Sequence, residues 1–345
     1  MLDEVVEVTV GVQIAPAPLA PATRRPPWAA LAAIGLGGSA AIGLIAWVGA
    51  GDIVEAVVHA GWVLPPLLAL HAAQTALSGL AWRELCGGGG PGPVAWVRIR
   101  WIREAVNALL PVAQIGGLLV GVRLLGHRRL PIAVGGAGTT LDLTVEAIAQ
   151  FVFTLLGIAT LAAVNADNAW RPWLGGAMLL MVFAVAGLAL VRRAGVLPLL
   201  GRLARRLGDI MPTLPIEEMR GMRAELARLQ RRRLALAQAG GLHLMSWLIG
   251  VGETWLALAA VGAPVGLAPA LVIESLGMAA RSAGFAIPGA LGVQEGGFLL
   301  VGSLFGLPAE AAVALSVLKR GREILAGLPA LGAWQWAEGV RIAGR

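Results

Sequence analysis

Lysine, cysteine and charged residues in general are scarce in this chain. Only 14% of its 345 residues are charged, whereas 57% are hydrophobic, and the mean hydropathy is +0.77. Because soluble domains carry about a quarter charged residues, this composition indicates a protein that has a bilayer as its solvent. The single cysteine, Cys86, excludes an intramolecular disulfide and any metal site built from several cysteines.

Lysine occurs once, at Lys319, so the net charge of +7 comes almost wholly from arginine. A phosphate-binding loop that ends in Gly-Lys-Ser or Gly-Lys-Thr is therefore absent, which excludes that route to ATP-driven transport within this chain. His-Glu-x-x-His and Gly-x-Ser-x-Gly are also absent, and no polar stretch is long enough for a soluble catalytic domain. We expect a protein that is not an enzyme, has no metal or other cofactor and, with so little charge overall, has no nucleic-acid partner.

Long apolar segments predict an all-α fold, a polytopic membrane helix bundle. A spanning helix needs about 20 mostly apolar residues. In one apolar stretch, residues 132–164, we expect the span to begin near residue 143, after a helix that lies in or near the membrane interface. About six full spans are predicted, at residues 28–50, 61–82, 143–164, 172–191, 234–262 and 309–336.

Two further apolar segments, Ala105–Leu125 and Ala268–Phe305, are interrupted by proline and by glycine pairs. Irregular backbone at membrane depth is tolerated only where protein or a water-filled cavity surrounds it. We therefore predict two broken or re-entrant hairpin elements. Residues 1–27, acidic and then proline-rich, are predicted to be a disordered cytoplasmic N-terminus ahead of a single transmembrane domain over residues 28–340.

Arginine placement predicts the orientation. Cytoplasmic loops of membrane proteins are enriched in lysine and arginine, and arginine is concentrated before the first span, at Arg83 to Arg103, at 123–129, in the basic loop 192–236 and at the C-terminus. We expect a multi-pass protein of a bacterial cytoplasmic (inner) membrane with both termini in the cytoplasm. Within the basic loop, residues 216–236 form an amphipathic pattern that fits either a helix on the membrane surface or one packed on the bundle.

The sequence also contains an internal repeat. Each copy has a proline, then Gln-x-Gly-Gly at Gln114 or Gln294, then Leu-Pro followed fifteen residues later by a glutamate, Glu146 or Glu323. On the predicted orientation one copy starts inside and the other outside, so the copies would be inverted, as in many secondary transporters. The copies cover about residues 98–164 and 266–338.

Ionisable side chains within apolar segments are costly and are candidates for function. Lys319 and Glu323 are one helical turn apart and share a face on which they could neutralise each other; Glu274 and Arg281 also share a face. Arg320 and Arg322 point elsewhere and leave a net positive cluster on the segment of Lys319. Together with further charged residues, this cluster could line a polar cavity that suits a phosphate or polar lipid headgroup. The alternative is that these residues are structural ion pairs or reach the interface. Other acidic residues expected in this cavity are Asp142, Glu146, Glu253 and Glu295.

Four stretches, which begin at Arg100, Leu141, Ile287 and Leu318, occur in the order found in a known family. They run Arg-Trp-Ile-Arg-Glu-Ala-Val-Asn-Ala-Leu-Leu-Pro-Val-Ala-Gln-Ile-Gly-Gly, Leu-Asp-Leu-Thr-Val-Glu-Ala-Ile-Ala-Gln, Ile-Pro-Gly-Ala-Leu-Gly-Val-Gln-Glu-Gly-Gly and Leu-Lys-Arg-Gly-Arg-Glu-Ile-Leu. The chain resembles the lysylphosphatidylglycerol synthase transmembrane-region family, also called flippase-like membrane proteins, and most of all its branch associated with hopanoid biosynthesis.

The resemblance implies a membrane domain that moves lipids between leaflets, with membrane lipids, and in one interpretation lipid-biosynthesis enzymes, as partners. Full-length relatives carry a cytosolic aminoacyl-transfer domain; since this sequence stops at Arg345, we do not expect lipid aminoacylation. The matched motifs imply these candidate substrate-binding or translocation residues: Arg103, Glu104, Asn107, Gln114, Asp142, Glu146, Gln294, Glu295, Lys319, Arg320 and Glu323. Glu274 and Arg281 are added because they lie in an apolar segment.

Three functions follow as hypotheses. The first is a transporter for an amphipathic lipid, a hopanoid or an anionic phospholipid. The second is a membrane-embedded accessory or scaffold protein of lipid biosynthesis, in which the buried charges would tolerate neutral substitution. The third, a lipid-modifying transferase, would need an acidic motif for a nucleotide or metal on the cytoplasmic side, and none stands out.

The predicted orientation can be tested with single cysteines in a Cys86→Ser background. Cysteines near positions 57, 167 and 265 should react with an impermeant thiol reagent added outside the cell once the outer barrier is opened, because these loops are predicted to face outward. Cysteines within 200–230 should be spared. Labelling of 200–230 from outside would overturn the orientation and the inverted repeat with it.

Overall fold

The computed structural model describes Glu55 and residues 58–110, 116–164, 221–284, 287 and 290–343. Every regular element in these ranges is helical. After a short 3-10 turn at Gly61–Val63, the α-helices are α1 Leu64–Leu85, α2 Pro93–Leu109, α3 Gly116–His127, α4 Ile132–Val164, α5 Met222–Gln230, α6 Arg233–Ala260, α7 Leu267–Ala283, α8 Val293–Ser303 and α9 Ala309–Ala343.

Local sequence sets where several helices begin and end. α2 begins at Pro93 after Gly92 in an extended conformation, since proline fits the first turn, which needs no amide donor. α1 ends at Leu85 with Cys86 as its C-cap, and the positive φ of Gly87, 96°, turns the chain away. At the start of α8 the backbone amide of Gly292 donates to the carboxylate of Glu295 at 2.7 Å, which satisfies a donor that the helix leaves free.

Three of the described helices are long and apolar enough to cross a membrane: Val58–Leu85, Ile132–Val164 and Arg233–Ala260. These correspond to predicted spans, and the all-helical membrane bundle is confirmed to that extent. The spans predicted at 28–50 and 172–191 lie outside the described residues. The segment at 309–336 is helical, within α9, with Glu310 in its first turn and its other four charged residues in the middle.

Residues 132–164 form a single continuous helix of 33 residues, so no break separates the predicted span from the part before residue 143. The position of this helix relative to the membrane interface stays a prediction. At 1.5 Å per residue such a helix is about 50 Å long, enough to cross a hydrocarbon core of about 30 Å at a tilt or to extend beyond it. Large apolar side chains are exposed from residue 143 onward, as expected for contact with lipid: Leu143, Ile148, Val152, Leu155, Leu156 and Val164.

Both segments predicted as broken consist of two helices packed against each other, α2 with α3 and α7 with α8. In the first pair the amide of Gly117 donates to the side-chain oxygen of Asn107 at 2.9 Å, and a Cβ atom at Gly117 would overlap the carbonyl oxygen of Arg103. In the second pair a Cβ atom at Gly297 would lie 2.8 Å from that of Ala280. Glycine is thus required at these positions because the helices approach too closely for any side chain.

The helices that make up the two predicted repeats have matching lengths. α2, α3 and α4 contain 17, 12 and 33 residues, and α7, α8 and α9 contain 17, 11 and 35. The first helix of each set packs on the long helix of the other set, α2 on α9 and α7 on α4, while α1 and α6 pack against each other between them. The inverted relation between the copies stays a prediction.

The amphipathic segment of the basic loop packs on the bundle. In α5, Met222 and Leu229 are buried in a cluster with residues of α1, α4 and α6, and the sulfur of Met222 lies against Gly136. Of the two alternatives that the sequence left open, the described part, residues 221–236, therefore favours a helix held by the protein. Residues 192–220 of this loop lie outside the described ranges.

The glycine pair of α8 offers a matched test of helix packing. Gly297→Ala should destabilise the protein by about 1–3 kcal/mol, the usual cost of overpacking, because its new methyl group meets Ala280. Gly296→Ala should be neutral or slightly stabilising, since nothing lies within 4 Å of its Cβ position and alanine favours helix. Thermal unfolding in detergent measures both; equal midpoints for the two variants would contradict this packing.

Candidate functional site

A first charge cluster lies between the first repeat and α6. Its members come from three helices: Arg100, Arg103 and Glu104 on α2, Asp142 and Glu146 on α4, and His243 on α6. Arg100 is its centre, with one nitrogen 2.6 Å from Glu104. The other two nitrogens of its guanidinium lie 3.1 Å from Asp142 and 2.6 Å from Glu146. One arginine thus joins all three carboxylates of the cluster.

Asp142 is the most enclosed member, with none of its surface exposed. Arg103 donates to one carboxylate oxygen at 2.6 Å, and the Nε2 of His243 lies 3.0 Å from the other. Arg103 also lies over the ring of Trp82, 5.1 Å from its centroid. A lone carboxylate at such a place would cost several kcal/mol, so these contacts are what permits it to remain charged.

A second charge cluster lies between the second repeat and α6. It contains four acidic and four basic residues: Glu253 on α6, Glu274 and Arg281 on α7, Glu295 on α8, and Lys319, Arg320, Arg322 and Glu323 on α9. Lys319 is 2% exposed. Its Nζ lies 2.8 Å from Glu274 and 3.7 Å from Glu253, and also 5.8 Å from the ring centroid of Phe298.

Three arginines surround one carboxylate in this cluster. Arg281 lies 2.6 Å from Glu323, Arg322 lies 3.5 Å from it, and Arg320 lies 3.8 Å from it. Arg322 also binds Glu253 at 2.7 Å, and Arg320 binds Glu295 at 3.2 Å. Fork-shaped guanidinium groups that converge on one anion form the arrangement that proteins use for carboxylates and phosphates.

Helices α1 and α6 complete both clusters. On α6, His243 serves the first cluster and Glu253 the second; ten residues of helix separate them by about 15 Å. On α1, Thr75 donates to Glu104 at 2.8 Å, and its neighbour Gln74 donates to Glu253 at 3.4 Å. Two adjacent residues of α1 therefore contact the two clusters, one each.

Some predicted site residues have local structural roles. Asn107 accepts the amide of Gly117 and so caps the start of α3. Glu295 caps α8 besides binding Arg320, and it accepts the hydroxyl of Ser316 at 3.1 Å. Gln294 is fully buried; it hydrogen-bonds Ser316 at 3.1 Å and accepts from Arg281. Gln114 lies outside the described residues.

The structure shows which partners these charges have. Lys319 and Glu323 share a helix but do not neutralise each other, because Lys319 reaches Glu274 and Glu323 reaches Arg281, both across to α7. The net positive cluster of α9 is balanced by other helices, since Arg320 and Arg322 both find acidic partners and the second cluster is neutral among the described residues. Partners on neighbouring helices are preferred to a partner on the same helix because they approach within hydrogen-bond distance in a buried setting.

Two arginines that counted toward the orientation are not surface residues. Arg100 and Arg103 are 5% and 3% exposed and belong to the first cluster. Arg100, Arg322 and His243 were not predicted as site residues. One available signal was the four-residue spacing of Arg100 and Glu104, which places them on one helix face.

Asp142, Glu146 and His243 offer ligand atoms within 4.8 Å of one another, a spacing that a metal ion could use. The guanidinium groups of Arg100 and Arg103 occupy the same carboxylate oxygens, at 2.6–3.1 Å. A metal would have to displace these arginines and would bring its own charge next to theirs. The donor set therefore does not fit a resident metal.

Long apolar helices, close glycine contacts and ion pairs sealed inside the bundle together define a multi-pass helical membrane protein. The chain belongs to the lysylphosphatidylglycerol synthase transmembrane-region family, whose model matches residues 28–329. The family that the sequence motifs indicated is thus confirmed, and it makes this a membrane protein involved in lipid handling. Comparisons with curated proteins and with solved structures found no match.

Paired substitutions test which residue neutralises Lys319. Lys319→Met alone should destabilise the protein by about 3–5 kcal/mol, because it strands buried carboxylate charge. Adding Glu274→Gln should restore much of the loss, since both partners are then neutral. Adding Glu323→Gln instead should not, because that carboxylate belongs to Arg281. Thermal unfolding in detergent gives the answer; rescue by Glu323→Gln and not by Glu274→Gln would show that the pairs are wrongly assigned.

Proposed function

We propose that this protein moves a lipid with an anionic headgroup between membrane leaflets. We place the headgroup site at the three arginines around Glu323. The observation that carries this proposal is the convergence of Arg281, Arg320 and Arg322 on a single carboxylate, at 2.6–3.8 Å. A phosphate presents the same paired oxygens to guanidinium groups, so a phospholipid headgroup can replace the carboxylate without rebuilding the site.

The edge of this site is partly exposed. The side chains of Arg281 and Arg320 are 16% and 18% exposed, whereas that of Lys319 is 3% exposed. The Nη2 of Arg320 is buried and has no hydrogen-bond partner among the described residues. A buried donor without a partner is costly, so an incoming anionic oxygen would gain a hydrogen bond that the protein itself does not make.

The architecture supports movement between two faces. Each helix pair, α2 with α3 and α7 with α8, packs on the long helix of the other repeat. If the copies are inverted in the inner membrane, with both termini in the cytoplasm, the two charge clusters lie at related places in the two repeats. Rocking of one repeat against the other then exposes them in turn, as in transporters with inverted repeats.

The arginine site favours an anionic phospholipid over a hopanoid. A lipid without an anionic headgroup would offer Arg281 and Arg320 nothing to replace their carboxylate partners. The hopanoid branch stays a prediction from sequence motifs. An accessory or scaffold role is distinguished by experiment, because it requires no lipid movement by the isolated protein and tolerates neutral replacement of the buried charges.

Reconstitution tests the transport function. In phosphatidylcholine vesicles that contain a trace of fluorescent phosphatidylglycerol, a leaflet-specific quencher measures lipid movement. The wild-type protein should accelerate it above protein-free vesicles. Arg281→Gln should slow it by about tenfold or more, because a hydrogen bond to a charged group is worth about 1.5–3 kcal/mol.

Arg98→Gln provides the matched control, since it removes an arginine that is exposed on α2 and belongs to neither cluster. It should leave the rate unchanged. Equal amounts of folded protein in each sample are verified by gel filtration and thermal unfolding. A wild-type rate no higher than that of empty vesicles would contradict transport and leave the accessory role; a normal rate for Arg281→Gln would contradict the proposed site.

A further inference from the structure

The two charge clusters differ in their charge balance. The second cluster contains four basic and four acidic residues and is neutral. The first contains two basic residues, Arg100 and Arg103, against three acidic ones, Glu104, Asp142 and Glu146. Among the described residues it therefore carries one uncompensated negative charge, unless His243 is protonated. A net charge in such a place is costly, and one proton removes it.

His243 is positioned to take that proton. It is 1% exposed, and its Nε2 lies 3.0 Å from an oxygen of Asp142. Ligand atoms of His243, Asp142 and Glu146 all lie within 4.8 Å of one another. A proton on this imidazole would thus interact favourably with two carboxylates at once, and histidine is the side chain that ordinarily changes charge between about pH 5 and 8.

Among the described residues, the other groups around His243 do not supply the positive charge that the first cluster lacks. α4 contributes Asp142 and Glu146. α2 contributes Glu104 and the two arginines, which bind the carboxylates of α4. α1 contributes the hydroxyls of Thr75 and Ser78, and at its end the thiol of Cys86, the pKa of which burial raises well above its usual value. α5 contributes the apolar Met222 and Leu229. The nearest charges of α7 and α9 belong to the second cluster, which is balanced.

The first cluster is sealed at one end and open at the other. Asp142 and His243 have side chains that are 0% and 1% exposed. The side chains of Glu146 and Glu104 are 24% and 28% exposed. Glu146 thus connects the exposed end of the cluster to the buried histidine, since their ligand atoms lie within 4.8 Å of each other. A proton on His243 would weaken the attraction between Asp142 and the two arginines. These arginines also bind Glu104 and Glu146.

We infer that His243 is a proton-binding site and that its protonation couples lipid movement to the proton gradient across the membrane. This inference rests on the proposed transport function and supplies its energy source. The proton, taken up with an anionic headgroup, also offsets the charge that the headgroup carries. On protonation the first cluster becomes neutral like the second. Without a protonatable side chain at position 243, the exchange of conformations no longer depends on pH.

The transport arm of the test imposes a pH gradient of one unit on phosphatidylcholine vesicles with a trace of fluorescent phosphatidylglycerol, with the electrical potential clamped. If one proton moves with each lipid, the gradient supplies about 1.4 kcal/mol, which corresponds to about tenfold accumulation of the lipid in one leaflet. His243→Gln keeps a hydrogen-bond donor for Asp142 but stays neutral, so it should exchange lipid without accumulating it. His59→Gln, which changes an exposed histidine outside both clusters, should accumulate lipid as the wild type does.

The second arm measures the proton site without any lipid transport. The chain has four histidines, so nitrogen NMR of histidine-labelled protein gives few signals, and the one lost in His243→Gln belongs to His243. Acidification should convert this signal from the singly to the doubly protonated form. A signal that does not change would overturn the proton site.

The two arms separate the possible failures. Equal accumulation by wild type and His243→Gln would overturn the coupling even if the NMR signal changes. No lipid movement by the wild type would overturn the proposed function and its coupling together, while the NMR signal still decides whether the proton site exists. If His243→Gln fails to fold, His243→Asn takes its place in the transport arm, and loss of accumulation with exchange retained remains the expected result.

Discussion

The cost of charge inside an apolar bundle is the constraint on which this structure depends. A single ionised side chain at the centre of a membrane helix costs about 2.5–3.5 kcal/mol on insertion scales, and fourteen ionisable residues lie in the two clusters. Each is tolerable only because a partner on another helix lies within hydrogen-bond distance. The glycine contacts serve the same end, since Gly250 leaves room for Glu274 to sit 2.8 Å from where its Cβ would be. The close packing of the helices and the pairing of their buried charges therefore depend on each other.

Sequence reasoning predicted what depends on one helix at a time. Apolar length located the spans that contain α1, α4 and α6, and the proline and glycine pairs located the breaks between α2 and α3 and between α7 and α8. It could not predict pairing across helices. Lys319 was placed with Glu323 because spacing along one helix is visible in a sequence, whereas the position of Glu274 on α7 depends on how the helices pack. Arg100 was missed as a site residue for a related reason, since arginine counting cannot tell a buried arginine from a cytoplasmic one.

Helix α6 connects the two parts of the proposed mechanism. His243 near one end belongs to the cluster that lacks one positive charge, and Glu253 near the other end belongs to the balanced cluster that holds the arginines. In the two repeats Asp142 and Lys319 stand at the same place, eleven residues after the Leu-Pro pair, with opposite charge. One half is thus suited to receive a cation such as a proton and the other an anion such as a headgroup phosphate. Two halves of related architecture with complementary chemistry are what coupled movement of a proton and an anionic lipid requires.

The central claim is that Glu323 occupies, as an internal anion, the place that a lipid phosphate takes during transport. The most direct test is the affinity of the purified protein for fluorescent phosphatidylglycerol in detergent, compared between wild type and Glu323→Gln. Removal of the competing carboxylate should free Arg281 and tighten binding, by about tenfold if it releases one charge-assisted hydrogen bond of about 1.5 kcal/mol. Binding that is unchanged or weaker in a folded Glu323→Gln protein would contradict the claim and make Glu323 a purely structural partner of the arginines.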